Sequence, residues 1–429
     1  MSGPFYRMLA CAGTAALFLS GAATAQERVE LTYWNWAPHI DEVVAIWNEA
    51  NPDIHVTVSR AAGAAEIVQK LSAAHTAGNP PDVTNVTYQD LPALVVNGLV
   101  ADITPEMASL KDQIAPVAWD LVTFGDTTWA TPQGTSPMMF FYRKDILTDL
   151  GIEAPATWEE FEAAAKAVRA ADPGKYLAHF PSSDPGLFAA LTHQVGAQWW
   201  RLDGDQWTVG INTPAAKEVA AYWERLVAED AVSTMQTWSP EWGAAMADGS
   251  LLGFISAVWA PPLIANLAPD TQGKWGVVPL PRWSQGTGAE LSGGVMGGSA
   301  TAVSSLTKHP EEAKEFAIWI TNNLDALSAY VRLMNIWPAQ LSARDLPQLK
   351  EAPTFLPDAT DFYTMAAEID VDTPSVSWGP NVSAAFDVYR NAMGEAVQNK
   401  SGFAGVLDQV QQTVFGDMSN QGYSVVEAQ

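Results

Sequence analysis

Apolar positions recur along this chain at two spacings, and the alternation between them predicts its elements. Residues 29–34 (VELTYW) predict a strand. Ile40, Val43, Val44 and Trp47 then fall at i, i+3, i+4 and i+7, one face of a helix that Asn51-Pro52-Asp53 ends. Residues 54–58 predict a second strand. Ile67, Val68, Leu71 and Ala74 mark a second helix, stopped by Gly78-Asn79-Pro80-Pro81, and residues 82–86 a third strand. This β-α-β-α-β order implies a parallel sheet with helices on both faces. Ligands on such sheets sit beyond the carboxyl ends of the strands, here Asn35-Trp36 and Tyr88-Gln89-Asp90.

The stretch 131–168 is the most informative. A Pro/Gly/Ser-rich segment, 131–137, leads into an apolar run, 138–142, that suits a buried strand. Arg143-Lys144-Asp145 opens a helical turn that Gly151 ends. Thr157-Trp158-Glu159-Glu160 is a capping box, and the helix behind it carries Phe161, Ala164, Ala165 and Val168 on one face. Further on, residues 177–180 predict a strand. Asp184-Pro185 starts a helix, Asp203-Gly204-Asp205 a hairpin, and Asn212-Thr213-Pro214 a helix running to Val227. Residues 251–257 predict a strand ending at Val258-Trp259, and 295–303 another behind Gly293-Gly294. The helix beginning near Pro310 turns Ala313, Phe316, Ala317 and Ile320 inward. The last helix expected, 382–397, carries Val382, Phe386, Tyr389, Met393 and Val397 on one face.

The strand ending Tyr142-x-Lys144-Asp145, followed by Gly151-Ile152 and Pro155-x-Thr157-Trp158-Glu159-Glu160-Phe161, resembles the extracellular solute-binding proteins of family 1. These are the sugar-binding receptors of ABC importers. Trp47-Asn48-Glu49-x-Asn51-Pro52-Asp53-Ile54, Gly78-x-x-Pro81-Asp82-Val83, Asn97-Gly98-Leu99, the segment Trp242 to Gly249 and Trp275-x-Val277-Val278-Pro279 are similar to that family in the same order. The resemblance spans nearly all of residues 29–400. It implies an α/β periplasmic binding protein fold of type II, with two lobes, each a mostly parallel sheet flanked by helices. Three hinge crossings near Ser136, Gly294 and Trp337 would join lobe one (26–136 and 295–335) to lobe two (137–294 and 336–429). It also implies a sugar ligand, permease subunits as partners, a monomer, and no cofactor or catalytic step.

Composition narrows this further. The chain has 429 residues, 48% of them hydrophobic, enough for two cores. Residues 1–25 read as a secretory leader, with Arg7 ahead of the apolar stretch 8–19 and a small-residue cleavage site at Ala23-Thr24-Ala25. A periplasmic location follows. Cys11, the only cysteine, falls inside that leader, so disulfides and thiolate metal sites are not expected afterwards. The formal charge is −26, which repels nucleic acid and anionic membranes and disfavours an anionic ligand. The 18 tryptophans suit a protein that stacks on sugar rings.

A sugar presents a flat apolar face rimmed by hydroxyls, so its site needs aromatic faces and fixed polar groups. Trp36, Trp259, Trp337 and Trp378 are the aromatic candidates, against the simpler reading of each as core packing. Trp259 and Trp378 stand where the resembling family places stacking aromatics. The polar candidates are Asn35, Gln89, Asp90, Ser136 and Asp184, with Gly294 offering backbone amides. Asp90 and Asp184 serve equally as helix caps, and Gly293-Gly294 as a flexible crossing. Gln89 and Ser136 depart from the family, whose members often carry an acid at the first position and, in maltose-binding members, a Glu at the second. Other ligands remain open on the same fold, such as a glycerol phosphodiester or a polyamine. A phosphate would want a cleft arginine, and none is among the candidate site residues. The six histidines form no metal-spaced pair, and no nucleophile or phosphate-loop motif is present. A secreted glycan-cleaving enzyme needs two carboxylates flanking the bond, and the 48 acids leave that alternative open.

Overall fold

A computed structural model describes Met1, Gly3 and residues 28–291 and 293–428. Apart from Met1 and Gly3, the expected leader, with Arg7, Cys11 and its cleavage site, lies outside the described residues.

The first three strands form as the pattern requires. β1 (Val29–Asn35) pairs in parallel with β2 (Ile54–Arg60) and β3 (Val83–Thr87). Between them run α1 (Ile40–Ala50) and α2 (Ala64–Thr76). Ile40, Val43, Val44 and Trp47 are the buried positions of α1, and Trp47 meets the rings of Phe316 and Trp319 edge-on. Three more strands complete a six-stranded sheet: Ser299–Val303 beside β3, then Thr131–Thr135, then Trp337–Pro338 at the edge. All three pairings made by these additions are antiparallel.

The second sheet has three strands. Met138–Arg143 lies between Gly253–Ala257 and Trp275–Pro279, and both neighbours run antiparallel to it. The two-lobed α/β architecture is as expected. The mostly parallel sheet expected in each lobe is not, because the centre and neighbours of the second sheet are supplied by chain segments arriving from opposite directions. The capping box is present: the Thr157 hydroxyl accepts from the Glu160 amide, and the Glu160 carboxylate accepts from the Thr157 amide. Where a strand is expected at 177–180 there is only the isolated bridge of His179 with Ser233, preceded by that of Tyr176 with Leu251. After the helix Val382–Asn399, a further helix, Phe403–Asn420, packs against it, and Ser424–Glu427 joins the hairpin strand Gln206–Val209 in parallel.

The crossings also differ in detail. The strand expected from residue 295 begins at Ser299, because Gly297 and Gly298 have φ of 78° and 84° and break the extended path. The return to the large sheet is therefore at Gly298. A β-carbon there would stand 2.6 Å from the Tyr88 ring. Gly294 lies against the helix Pro185–His193 instead, where a β-carbon would meet the Ala190 carbonyl oxygen at 2.6 Å. At the third crossing, Trp337 and Pro338 pair with Thr135 and Gly134, and the Ala115 amide donates to Ala339. The chain thus stays with the large sheet beyond residue 335.

The Gly294 contact predicts a stability effect. Gly294→Ala forces a methyl group into a backbone that cannot move alone, an overpacking expected to cost about 1–3 kcal/mol. Urea unfolding of the variant should show a lower midpoint at unchanged slope. An unchanged midpoint would mean that the helix shifts freely.

Candidate ligand-binding site

The carboxyl end of β3 and the start of α2 face the second lobe across a cavity of about 370 Å³. From the large-sheet side it is lined by Gly63, Ala64, Ala65 and Gln89. From the other side come Ser183, Asp184, Pro185 and Gly186, then Thr237 and Trp238, then Phe386 and Arg390. Short elements explain this convergence. Pro185 sits at the first helical position and Asp184 caps it, its carboxylate accepting from the Leu187 amide at 2.9 Å. Phe386 and Arg390 are four residues apart on the helix Val382–Asn399 and so share a face. Gly186 keeps the cavity narrow: Gln89 Oε1 is 3.4 Å from where its β-carbon would be.

Trp238 is the most exposed of the cavity's aromatic groups, at 62%. Its ring stacks on Trp259 at 6.4 Å with 23° between planes, and meets Trp242 edge-on at 5.5 Å. Two indoles therefore lie side by side on the second-lobe wall, the outer one open to solvent. Behind them His179 bonds Thr237 Oγ1 at 3.1 Å and lies on Phe254. Burial lowers the His179 pKa to about 4, so the ring is neutral at ordinary pH.

Arg390 is the cationic group of the cavity, paired with the exposed Asp387 at 2.7 Å. Its field reaches two carboxylates on opposite sides. Burial raises the Asp90 carboxyl above the usual range, and the Thr87 hydroxyl and Arg390 pull it back in part. Burial likewise raises Asp184, offset by the Leu187 amide, Arg390 and the Gly186 amide. Asp90 stands at a helix start without accepting a helix amide; it takes the Thr87 hydroxyl at 2.6 Å. Neither carboxylate is uncommitted.

The residues singled out in the sequence divide clearly. Gln89 and Asp184 line the cavity, Trp259 backs Trp238, and Asp90 lies within the field of Arg390. Trp36 is half-buried at the end of β1, outside the lining, with no ring partner among the described residues. Asn35 is fully buried; it donates to Tyr33 Oη and accepts from Ala37 and Asn85, a framework role. Ser136 is buried at the first crossing, and Gly294 packs on a helix. Trp337 is buried between Tyr363 and the Arg344 guanidinium, so its faces are taken. Trp378 is buried among His193, Trp200 and Phe386. It lines a second cavity of about 360 Å³, with Trp119, Phe124 and Trp207, where the Ser375 hydroxyl donates to Asp120 at 2.9 Å. The sequence reading missed Trp238, Phe386 and Arg390. Phe386 falls on the apolar face expected to pack inward, and Arg390, on the same helix, carries no mark in the sequence that sets it at the cavity. A tryptophan in a loop bounded by Thr237 and Ser239-Pro240 was the one available signal for Trp238.

Residues 42–357 match the family model of the bacterial extracellular solute-binding proteins, well over half of the chain. The chain belongs to that family. Among solved structures, this solute-binding protein is similar to the galacto-N-biose-/lacto-N-biose I-binding protein of an ABC transporter from Bifidobacterium longum, in complex with lacto-N-biose. The identity is 30% and the TM-score 0.83, over 93% of this chain and 99% of that one. A binding protein from B. animalis subsp. lactis, in complex with beta-1,6-galactobiose, has the same fold at 23% identity and TM-score 0.83, over 93% and 99% of the two chains. The arabinooligosaccharide-binding protein of Halalkalibacterium halodurans is 23% identical over 358 residues, 79% of this chain and 76% of that protein.

The raised Asp184 carboxyl gives a pH prediction. The folded protein holds that proton more tightly than the unfolded chain, so this group's contribution to stability falls as pH rises from about 3.8 through the raised value. Asp184→Asn keeps a capping oxygen and removes the charge. Its Tm should equal or exceed the parent's at pH 7, and the difference should close toward pH 3.5. A Tm deficit at pH 7 that persists unchanged at pH 3.5 would show that the charge carries no penalty.

Proposed function

We propose that this solute-binding protein is the ligand-capturing receptor of an ABC importer, exported to the periplasm by its leader, and that it holds a di- or oligosaccharide in the cavity lined by Gln89, Asp184, Trp238, Phe386 and Arg390. The observation that carries this is Trp238, stacked on Trp259, in the wall of a cavity that Gln89, Ser183, Asp184, Thr237 and Arg390 also line. An indole face left 62% exposed is covered when a sugar ring lies on it, which removes apolar surface from water. Gln89 and Arg390 suit the hydroxyl rim. The sugars held by the two Bifidobacterium proteins fit the same chemistry.

A sugar touching both walls stabilises the arrangement in which they are close. Binding then shifts the two lobes toward closure, the hinge motion of periplasmic binding proteins. The closed form is the one delivered to the permease, and the receptor breaks no bond in the sugar. The crossings at Ser136, Gly298 and beyond Trp337 serve as the hinges of this motion. Arg390 sustains a second reading, a solute with a phosphate or carboxylate group. Asp90 and Asp184 beside it weigh against an anion.

Thermal shifts of the mature protein against lacto-N-biose, galactobiose, arabinooligosaccharides, maltose, glycerol phosphates and polyamines test these readings, because a ligand that binds only the folded state raises Tm with its concentration. A shift with sugars is expected. A shift with phosphates or polyamines alone would replace the sugar reading. Trp238→Ala and Trp259→Ala should each weaken sugar binding at least about tenfold by calorimetry, on the order of 1.4 kcal/mol, with an unchanged circular dichroism spectrum. Unchanged affinity in both would remove the aromatic wall from the site.

A further inference from the structure

Trp238 is held in a backbone conformation that disfavours it. Its φ is 69°, in the left-handed region, where a β-carbon crowds the following carbonyl oxygen. It is the bulkiest of the non-glycine residues with positive φ among those described. Its exposed ring contributes little burial to offset that. Such strain persists only where neighbouring groups over-determine it.

The neighbour that does so is Gln236. Its Oε1 accepts from the Ser183 amide at 2.9 Å. Its Nε2 donates to Ser182 Oγ at 3.2 Å and to the Thr234 carbonyl at 3.1 Å. Its own carbonyl accepts from the Ser239 amide at 3.2 Å, closing the turn around Trp238. One side chain thus ties the loop bearing Trp238 to the loop that ends in Asp184. Backbone bonds reinforce the tie from behind: Phe180 donates to Ser233, and Ser233 to Ala178.

We propose that Gln236 is a positioning residue for the binding site. It clasps Ser182 and Ser183 and so presets the Trp238 ring against the start of the helix Pro185–His193 before any ligand arrives. A ligand entering a preset site orders fewer groups on binding, which is where the affinity gain lies. Glutamine suits the task because it offers an acceptor and donors at one end; glutamate would keep the bond to the Ser183 amide and lose both donations.

The affinity readout rests on the sugar reading above, so the test has two arms. In the first, lacto-N-biose binding is measured for the parent, Gln236→Ala, Trp238→Ala and the double variant. Gln236→Ala is expected to weaken binding about tenfold in the parent and less than about twofold in the Trp238→Ala background, since the clasp acts through the ring. Equal losses in both backgrounds, or no loss in the parent, would overturn the proposal. The second arm needs no ligand. Hydrogen exchange of the free protein should speed up in Gln236→Ala within residues 182–183 and 233–239, with the strands Met138–Arg143 and Gly253–Ala257 unchanged. Exchange unaltered in those loops would overturn the clasp whatever the protein binds. If lacto-N-biose fails to bind the parent, that counts against the choice of sugar, and the exchange arm alone decides the clasp.

Discussion

The stretch from Thr131 to Arg143 is an inner strand of one sheet and then the central strand of another, with only Ser136 and Pro137 between the two roles. A strand hydrogen-bonded on both sides cannot slide or twist independently of its neighbours. The two sheets are therefore tied together at this point by a link of two residues. Other contacts gather around the same link. Tyr88 Oη donates to the Gly134 carbonyl at 2.9 Å, and the Thr135 hydroxyl donates to Asp370, whose carboxylate also pairs with Arg344 at 2.7 Å. The return crossing at Gly298 passes so close to Tyr88 that no β-carbon fits.

The electrostatics of the cavity follow from how its carboxylates are used. In a low-dielectric setting an uncommitted carboxylate would be a strong acceptor for sugar hydroxyls or a trap for a cation. Here Asp184 is bound to helix amides and Asp90 to Thr87, with Arg390 balancing part of their charge. What remains available to a ligand is mixed and nearly neutral: an amide side chain, part of a guanidinium and the open face of one indole. That combination suits a polar, uncharged molecule with one apolar face.

Much of the fold was legible because helical and extended periods leave different marks. The face of α1, the capping box at Thr157 and the Asp184-Pro185 start all stand where spacing places them. Strand direction left no such mark: the run Met138–Arg143 is apolar at nearly every position and reads alike in a parallel or an antiparallel sheet. Of two double-glycine sites, only backbone geometry distinguishes the one that turns at Gly297-Gly298 from the one that packs at Gly293-Gly294. The binding site was less legible than the fold. A tryptophan's role depends on whether another residue covers its faces, and those partners come from far along the chain. Trp337 is covered by Tyr363 and Arg344, and Trp378 by His193, Trp200 and Phe386, whereas Trp238 is left open by the turn that carries it. Gln89 and Asp184 line the same cavity because a strand end and a helix start meet there.

Gln89, Trp238 and Arg390 share a property apart from facing the cavity: none belongs to the buried set that holds either lobe together. They stand on a strand end, a loop and the outward side of a helix. Substitution there changes the face turned to the cavity while both cores stay as they are. The chemistry of the cavity wall is therefore separable from folding: it can be rewritten at these positions without disturbing what holds the two sheets together.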